Sequence, residues 1–227
     1  MKRLPKIILL LTIGVASANA QNKIDDRLGE SAEVLRQMLD KPDALPRPFL
    51  NRAVCVLVFP GVKKVGIGIG VTYGRGTLVC RTGTEMNGSW SAPAMYKLDV
   101  GSLGAQLGHS ATDFVLLIEN KRSALKILSG KMKLGADATA VAGPTGAKAV
   151  GANDTNLDVL TYSRAKGGLF VGASLGSASM DTDDDANKAV YGRVISATEI
   201  VREGEVKVTP AGRRIVRILT ETSPKHT

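Results

Sequence analysis

Hydrophobic and polar positions along the chain predict a strand-rich body between two helices. Over residues 24–39, apolar side chains recur at spacings of three and four, which is the period of one helix face. The segment 210–219 has the same period, and Thr209 followed by Pro210 is a typical helix start. Between them, short runs are either continuously apolar or alternate every second residue, as strands do. The order therefore predicts helices at both ends and strands in the middle.

The strand predictions rest on β-branched and glycine-rich runs. They cover residues 53–59, 65–76, 75–82, 103–118, 131–143, 157–163, 167–175 and 205–208. Residues 121–128 predict a short basic helix, and residues 183–192 predict an acid-capped helical turn that ends at Gly192. Glycine at every second strand position allows sharp bending. We therefore predict an α+β, β-rich fold with a curved or barrel-like, mainly antiparallel sheet of about 8–10 strands and flanking N- and C-terminal helices.

The first twenty residues have the pattern of a secretory signal peptide. A basic start is followed by an apolar run over residues 7–15 and by the small residues Ala18-Asn19-Ala20. The run is shorter than the roughly 20 residues that span a bilayer, although an uncleaved anchor stays an alternative. We predict a signal peptide over residues 1–20 and a single domain over residues 21–227. The protein would be exported to the periplasm, where it could lie peripherally on a membrane.

Composition and charge sharpen this prediction. The chain has 227 residues, a formal net charge of +9, 25 glycines and only 4% aromatic residues. Loss of residues 1–20 would remove three basic residues and no acid, so the net charge would fall to +6. The glycine excess would remain, because only Gly14 lies in that segment. Hydrophobic residues at 44% and charged residues at 22% exclude a disordered chain and a multi-span membrane protein.

Two cysteines and two histidines limit the metal and redox chemistry. Cys55 and Cys80 both lie in apolar strand-like runs; they could form a disulfide in an oxidising compartment, or remain buried thiols. The chain has no Cys-x-x-Cys pair, so we predict no zinc site. The acidic run at 181–185 is interpreted as a solvated helix start and not as a calcium site. No metal and no cofactor is predicted.

Two motifs could be mistaken for catalytic or nucleotide sites. Gly172-Ala-Ser174-Leu-Gly176 matches the nucleophile elbow of hydrolases, which needs a rigidly held histidine. His226 lies at the chain end and His109 would need another chain order, so a small-residue strand is the better interpretation. The glycines at 66–70 lie inside a strand pattern and not between a strand and a helix. We predict no catalytic residue and no enzyme activity.

Basic residues cluster in three places. The groups are Lys121, Arg122, Lys126, Lys131 and Lys133; Arg213, Arg214 and Arg217; and Lys63 and Lys64. Such groups attract anionic lipid headgroups at about 1 kcal/mol per residue, although each could also be ordinary solvated surface. Trp90 or nearby apolar loop residues are expected to insert at the lipid interface, as amphipathic aromatic residues do. Nucleic acid is not a predicted partner, because the chain would be exported and has few aromatic residues for base stacking.

Six segments, met in order along the chain, resemble the SYLF lipid-binding domain family. They are FPGVKKVGIGIGVTYGRG at 59–76, SWSAPAMYKL at 89–98, LGAQLGHSATDFVLLI at 103–118, KMKLGADATAVAGPTG at 131–146, LTYSRAKGGLFVGASL at 160–175 and NKAVYG at 187–192. The resemblance implies a β-rich domain that binds anionic phospholipids, including phosphoinositides in eukaryotic members, and that bundles actin in some fungal ones. It implies no catalytic role for Ser174. Because residues 24–39 are net acidic, lipid contact would fall to the helix at 210–219 or to the 121–133 cluster.

The sequence therefore predicts a non-enzymatic protein that binds anionic phospholipids at a membrane surface in the cell envelope. Two alternatives stay open. The first is an adaptor or structural module that binds another envelope protein. The second is a lipid carrier whose curved sheet encloses an apolar cavity.

Overall fold

The computed structural model describes residues 6–40, 45–65, 71–100, 111–134, 136, 140–142, 158–165, 175, 178–202 and 206–224. Several predictions fall outside these ranges. They are the strand stretches at 66–70, 103–110 and 167–174, the motif serine Ser174, and the histidines His109 and His226.

Six helices and eight strands form the described chain. They are α1 (Lys6–Leu39), α2 (Arg47–Arg52), β1 (Cys55–Val65), β2 (Val71–Cys80), β3 (Ala94–Val100), β4 (Thr112–Ile118), α3 (Lys121–Leu128), β5 (Lys131–Lys133), β6 (Ala140–Ala142), β7 (Val159–Ala165), β8 (Ala178–Thr182), α4 (Asp184–Tyr191), α5 (Ala197–Arg202) and α6 (Arg213–Thr222). The predicted β-rich α+β class with helices at both ends is confirmed.

The strands form a single curled sheet in the order β5-β8-β3-β2-β1-β4-β7-β6. All neighbouring pairs are antiparallel except β6 and β7. Pro60 and Gly61, which predict a turn, form a bulge inside β1 instead, because the register shifts between Val58 and Lys63. Gly61 has φ +54°, a conformation that favours glycine, and its N–H donates to Asp113 Oδ1 at 2.8 Å. The bulge therefore lets β1 bend without ending.

Alternation along the strands gives the sheet two buried faces. Leu57 and Phe59 of β1 face a core that includes α3 and α5, and we call this the α3 side. Val56 and Val58 face a core that includes α1, α2 and α6, and we call this the α1 side. Both faces are packed with side chains, so helices cover the sheet on either side.

A disulfide joins the two central strands. Cys55 of β1 lies directly opposite Cys80 of β2, and the two Cα atoms are 3.9 Å apart. Both residues are fully buried in the core of the α3 side. Of the two interpretations that the sequence allows, the structure therefore has the bonded pair.

Two short helices were not predicted. Pro46 and Pro48 stand at the start of α2, although prolines that closely follow the predicted helix of residues 24–39 are typical of a helix end. Proline suits a first helical turn, where its missing N–H is not needed. Before α5, the Ser196 amide donates to Glu199 Oε2 at 2.8 Å and the Glu199 amide donates to Ser196 Oγ at 3.2 Å. This is a capping box, and its Ser-x-x-Glu spacing was readable in the sequence.

The two terminal helices differ from their predicted bounds. Helix α6 begins at Arg213, three residues after the predicted start at Pro210, and residues 206–208 are not a strand. Helix α1 is 34 residues long, so its backbone runs through the predicted cleavage point after Ala20. Cleavage there stays a prediction, and it would leave every α1 contact described below in place. No helix within the described ranges is long and apolar enough to cross a membrane.

Candidate functional site

The predicted basic residues are distributed over different surfaces. Helix α3, which carries three of them, packs on the α3 side, whereas α6 packs against α1 on the other side of the sheet. In β5, Met132 is buried in the α3-side core. Lys131 and Lys133 alternate with it and are exposed, so they face the α1 side. The 121–133 cluster of the sequence is therefore divided by the edge of the sheet.

Lys131 and Lys133 belong to two rows of polar side chains that cross five adjacent strands. The first row consists of Lys131, Asp181, Lys97 and Arg75 on β5, β8, β3 and β2. The second consists of Lys133, Ser179, Asp99, Tyr73 and Lys63 and reaches β1. Residues directly opposite each other in a sheet point to the same face. We call this surface the strand face; it brings five basic side chains together with two acids.

Helix α1 covers the sheet beside the strand face, and its residues 23–30 border the end of the strand face that carries Lys63, Tyr73 and Arg75. Leu28 packs with Met95, and the Ser31 hydroxyl lies 3.2 Å from Thr77 Oγ1. Two residues further along β3 and β2, at the rows defined above, side chains reach solvent. Tyr73 is 48% exposed, which is unusual for a large side chain on a central strand. The strand face is thus an exposed part of the sheet that lies next to the part covered by α1.

A cleft of about 290 Å³ lies where α1 meets the β1–β2 pair. Its lining includes four basic side chains and two acidic ones: Lys23, Arg27, Lys63, Arg75, Asp26 and Glu30. A lining of charged groups suits a polar anionic group and not an acyl chain. This cleft therefore does not have the character of the apolar cavity that a lipid carrier would need.

One buried carboxylate fixes α1 beside the strand face. Asp183 Oδ2 accepts from Arg27 Nη1 at 3.1 Å, and Asp183 Oδ1 lies 3.4 Å from Lys97 Nζ. Asp183 also caps α4, since its Oδ1 accepts from the Ala186 amide at 3.4 Å. Burial lowers the pKa of Arg27, although its bond to Asp183 acts in the opposite direction. The prediction that the acidic run starts a helix is confirmed at Asp183, but the prediction that the run is solvated is wrong there, because Asp183 is buried. Its carboxylate also offsets part of the charge of Arg27 and Lys97.

Trp90 does not reach a lipid interface, so that prediction is wrong. The residue is only 5% exposed. The Arg81 guanidinium stacks on its ring, 4.1 Å from the centroid, and the indole Nε1 donates to the Ser223 carbonyl at 2.9 Å. This hydrogen bond attaches the indole to the residue that follows α6. The exposed aromatic residue on the strand face is Tyr73.

The arginines of α6 are not part of the strand face, and one of them, Arg214, contacts α1. Arg214 donates to Glu33 of α1 at 2.5 Å, and Arg217 Nε is 4.0 Å from Glu221 of its own helix. Hydrogen bonds from Arg36 and Gln37, together with the bond from Arg214, lower the pKa of Glu33 to about 2. Arg213 is exposed. Part of this predicted cluster therefore joins two helices, and the Lys64 side chain lies outside the description.

Sequence reasoning missed several residues of this site. Lys23, Arg27, Arg75 and Lys97 are not part of any basic run, and only strand register brings the last two beside Lys131. A local signal was present, because the pairs 73/75, 97/99 and 131/133 carry polar or charged side chains at period two. Within the described ranges, no group of three or more His, Cys, Asp and Glu residues is arranged to hold a metal ion.

Comparison with known proteins decides the family. The profile described as "Ysc84: Las17-binding protein actin regulator" matches residues 99–222, which is more than half of the chain. This chain belongs to the Ysc84 (SYLF) family. The resemblance seen in the sequence is confirmed, and the family description names binding and regulation but no reaction. In this Ysc84-family chain, the strand-face residues Lys131, Lys133 and Asp181 are among those inside the matched span. Tyr73 and Arg75 are among those that precede it.

Relatives of this Ysc84-family chain are longer proteins. Protein YSC84 of Saccharomyces cerevisiae is 30% identical over 202 residues, 84% of this chain and 42% of its own length. SH3 domain-containing protein PJ696.02 of Schizosaccharomyces pombe is 30% identical over 190 residues, 81% of this chain and 43% of its own length. SH3 domain-containing YSC84-like protein 1 of Homo sapiens is 26% identical over 180 residues, with coverages of 76% and 52%. The chain thus spans about half or less of each relative.

Proposed function

We propose that this Ysc84-family chain is a non-enzymatic module that binds anionic phospholipid at a membrane surface through the strand face. Export by the predicted signal peptide would bring it to the cell envelope. The observation that carries the proposal is the pair of rows on the strand face, where five basic side chains lie together. Four of them, Lys63, Arg75, Lys131 and Lys133, are exposed.

The dimensions of the strand face suit a lipid surface. Neighbouring strands lie about 4.8 Å apart, so the rows extend over roughly 20 Å, enough for several lipid headgroups. Each basic residue near an anionic membrane contributes about 1 kcal/mol, and the two acids of the rows offset part of this sum. Tyr73 adds an amphipathic ring of the kind that favours the membrane interface. Several weak contacts would together give salt-sensitive binding.

The basic residues of the strand face differ in their expected contribution. Lys97 lies 3.4 Å from the buried Asp183, so part of its charge is already offset. Arg75 and Lys131 are exposed at two separate strands of the first row. Charge reversal at these two positions should therefore weaken lipid binding most while leaving the core intact.

Vesicle co-sedimentation tests the proposal. We expect binding to vesicles with about 30% phosphatidylglycerol and little binding to neutral phosphatidylcholine, with a strong loss between about 0.1 M and 0.5 M salt. The double variant Arg75→Glu, Lys131→Glu should bind at least about tenfold more weakly. The exposed Lys188→Glu on α4, outside the strand face, is the matched control and should bind like the unmodified chain. Equal, salt-insensitive binding to both vesicles would contradict the mechanism.

A protein partner is the second candidate function. The family description and the name "LAS seventeen-binding protein 3" of a Saccharomyces cerevisiae relative, 29% identical, both name a bound protein. An adaptor in the cell envelope would form a complex that survives detergent and would not bind vesicles. Pull-down in detergent beside the vesicle assay separates the two functions.

A further inference from the structure

The α3 side carries a second exposed surface that the proposed function does not use. We call it the α3 patch; it consists of Arg122, Leu125, Lys126, Arg193 and Val194. Among the large apolar residues of the described ranges, three are exposed: Tyr73, Leu125 and Val194. Two of these three lie in the α3 patch, and each has a basic residue next to it in the chain.

Helix α3 presents its part of the patch as one stripe. Ala124, Ile127 and Leu128 are buried in the core of the α3 side. Arg122, Leu125 and Lys126 are exposed and follow the spacing of three and four residues that places side chains on one helix face. The patch therefore has an apolar side chain between two basic ones on the outer face of the helix.

The start of α5 lies next to the end of this helix. Thr198 Oγ1 donates to the Leu128 carbonyl at 3.2 Å, which ties the first turn of α5 to the last residue of α3. Four residues before Thr198, in the loop that leads into α5, Val194 is 80% exposed, and Arg193 beside it is also exposed. This loop thus carries a second pair of exposed basic and apolar side chains.

The two arginines of this patch reach solvent although each has an acidic partner. Arg122 Nη2 is 3.3 Å from the buried Asp158, yet the Arg122 side chain is 85% exposed. Arg193 Nη1 is 3.9 Å from Glu199, and both of these side chains are exposed. An exposed pair contributes little, so an anionic lipid surface can compete for Arg193.

The strand face and the part of the α3 patch on helix α3 lie on opposite sides of the sheet. Lys131 and Lys133 extend from the α1 side of β5, whereas Met132 between them and helix α3 lie on the α3 side. The sheet and its packed side chains separate the two surfaces. A flat bilayer in contact with one of them therefore cannot touch the other.

We propose that the α3 patch is a second contact for anionic membranes, so that one molecule bridges two lipid surfaces. This inference rests on the proposed function, because it requires that the strand face binds the first surface. An apolar side chain flanked by basic ones matches the interface of an anionic bilayer. A stable protein partner usually needs about 800 Å² of well-packed surface, which an eight-residue helix and one loop do not offer.

Vesicle clustering tests the bridging directly. Turbidity and light scattering of about 30% phosphatidylglycerol vesicles report clustering, while co-sedimentation of the same samples reports binding. The variant Leu125→Gln, Lys126→Glu should keep binding within about twofold and reduce clustering at least about fivefold. Lys188→Glu should cluster vesicles like the unmodified chain. Thermal unfolding verifies that each variant is folded.

Each outcome decides the inference. Clustering by the α3 variant at the unmodified level overturns bridging through the α3 patch, and so does binding without clustering by the unmodified chain; both leave the proposed function standing. Absence of binding to anionic vesicles overturns both proposals. Loss of clustering that accompanies a change from dimer to monomer, measured by size-exclusion light scattering, overturns direct lipid contact in favour of a protein contact.

Discussion

An arginine and an aromatic residue lie near each end of β2 on the same face of the sheet, but one pair is exposed and the other is buried. At one end, Arg75 and Tyr73 are exposed on the strand face. Just beyond the other end, Arg81 is completely buried and stacked on Trp90, with which it forms an isolated β-bridge. Residue type therefore does not separate the exposed strand face from a buried structural element here; the element that packs on top does.

At the buried end, the two Nη groups of Arg81 donate to backbone carbonyls and a hydroxyl, whereas its buried Nε has no hydrogen-bond partner among the described residues. Arg81 Nη2 donates to the Ser223 carbonyl at 2.9 Å and to Ser223 Oγ at 2.8 Å, and Nη1 lies 3.4 Å from the Gly88 and Pro224 carbonyls. Ser223 follows the last residue of α6, where helix carbonyls carry partial negative charge. Burial lowers the pKa of Arg81. We call Arg81, Trp90 and Ser223 the clamp, because they hold the end of α6.

The largest expected effect is the difference between Arg81 and Arg75 in their contribution to the free energy of unfolding. Arg81→Ala should lower the free energy of unfolding by about 4 kcal/mol, because it leaves buried carbonyls without donors and removes the stacked guanidinium. Arg75→Ala should change it by no more than about 0.5 kcal/mol, as for an exposed site. Urea unfolding measures both. Equal losses in the two variants would contradict the claim that Arg81 stabilises the fold and Arg75 does not.

Asp183→Asn gives the next largest effect and tests the attachment of α1 beside the strand face. The amide can still cap α4, but Arg27 loses its buried acidic partner, so we expect a loss of about 3 kcal/mol in the free energy of unfolding. Vesicle binding should not weaken, because no basic side chain is removed. The exposed Asp185→Asn on α4 is the control and should unfold like the unmodified chain. An unchanged unfolding curve for Asp183→Asn would show that this pair does not hold α1.

Much of the fold follows from local patterns, whereas the site does not. Helix α3 and the end of α4 at Gly192, which has φ +71°, are encoded by apolar spacing and by capping residues within a few positions. The strand face is formed by pairing between segments as distant as 63 and 131, and no single segment shows it. Residue type predicts lipid contact for Trp90, whereas the structure buries it and bonds its indole to the Ser223 carbonyl, 133 positions away.

Trp90→Phe should have a smaller effect on stability and none on lipid binding. Phenylalanine keeps a ring beneath Arg81 but leaves the Ser223 carbonyl with one donor fewer, so the free energy of unfolding should fall by about 1.5 kcal/mol. Co-sedimentation with anionic vesicles should be unchanged. Weaker vesicle binding by a folded Trp90→Phe protein would restore the membrane role that its burial argues against.

Tyr73→Ser is the counterpart at the exposed end and has the smallest expected effect. Tyr73 is 48% exposed, so its replacement should change the free energy of unfolding by less than about 0.5 kcal/mol. Vesicle affinity should fall about threefold, because an interfacial aromatic ring is lost. Thr220→Ser on the exposed face of α6 is a matched control in which both measurements should stay unchanged. A loss of stability without a loss of vesicle affinity would contradict the account, because Tyr73 would then contribute to folding and not to lipid binding.

The central claim, that the strand face lies against anionic lipid, is tested most directly by a polarity-sensitive fluorophore attached at Tyr73→Cys in the oxidised protein. The matched label is placed at Thr220→Cys, an exposed position on α6. The account predicts a blue shift of the Tyr73→Cys label with phosphatidylglycerol vesicles, none with phosphatidylcholine vesicles, and no shift of the Thr220→Cys label. A shift at Thr220→Cys without one at Tyr73→Cys would place the membrane on α6 and contradict the account.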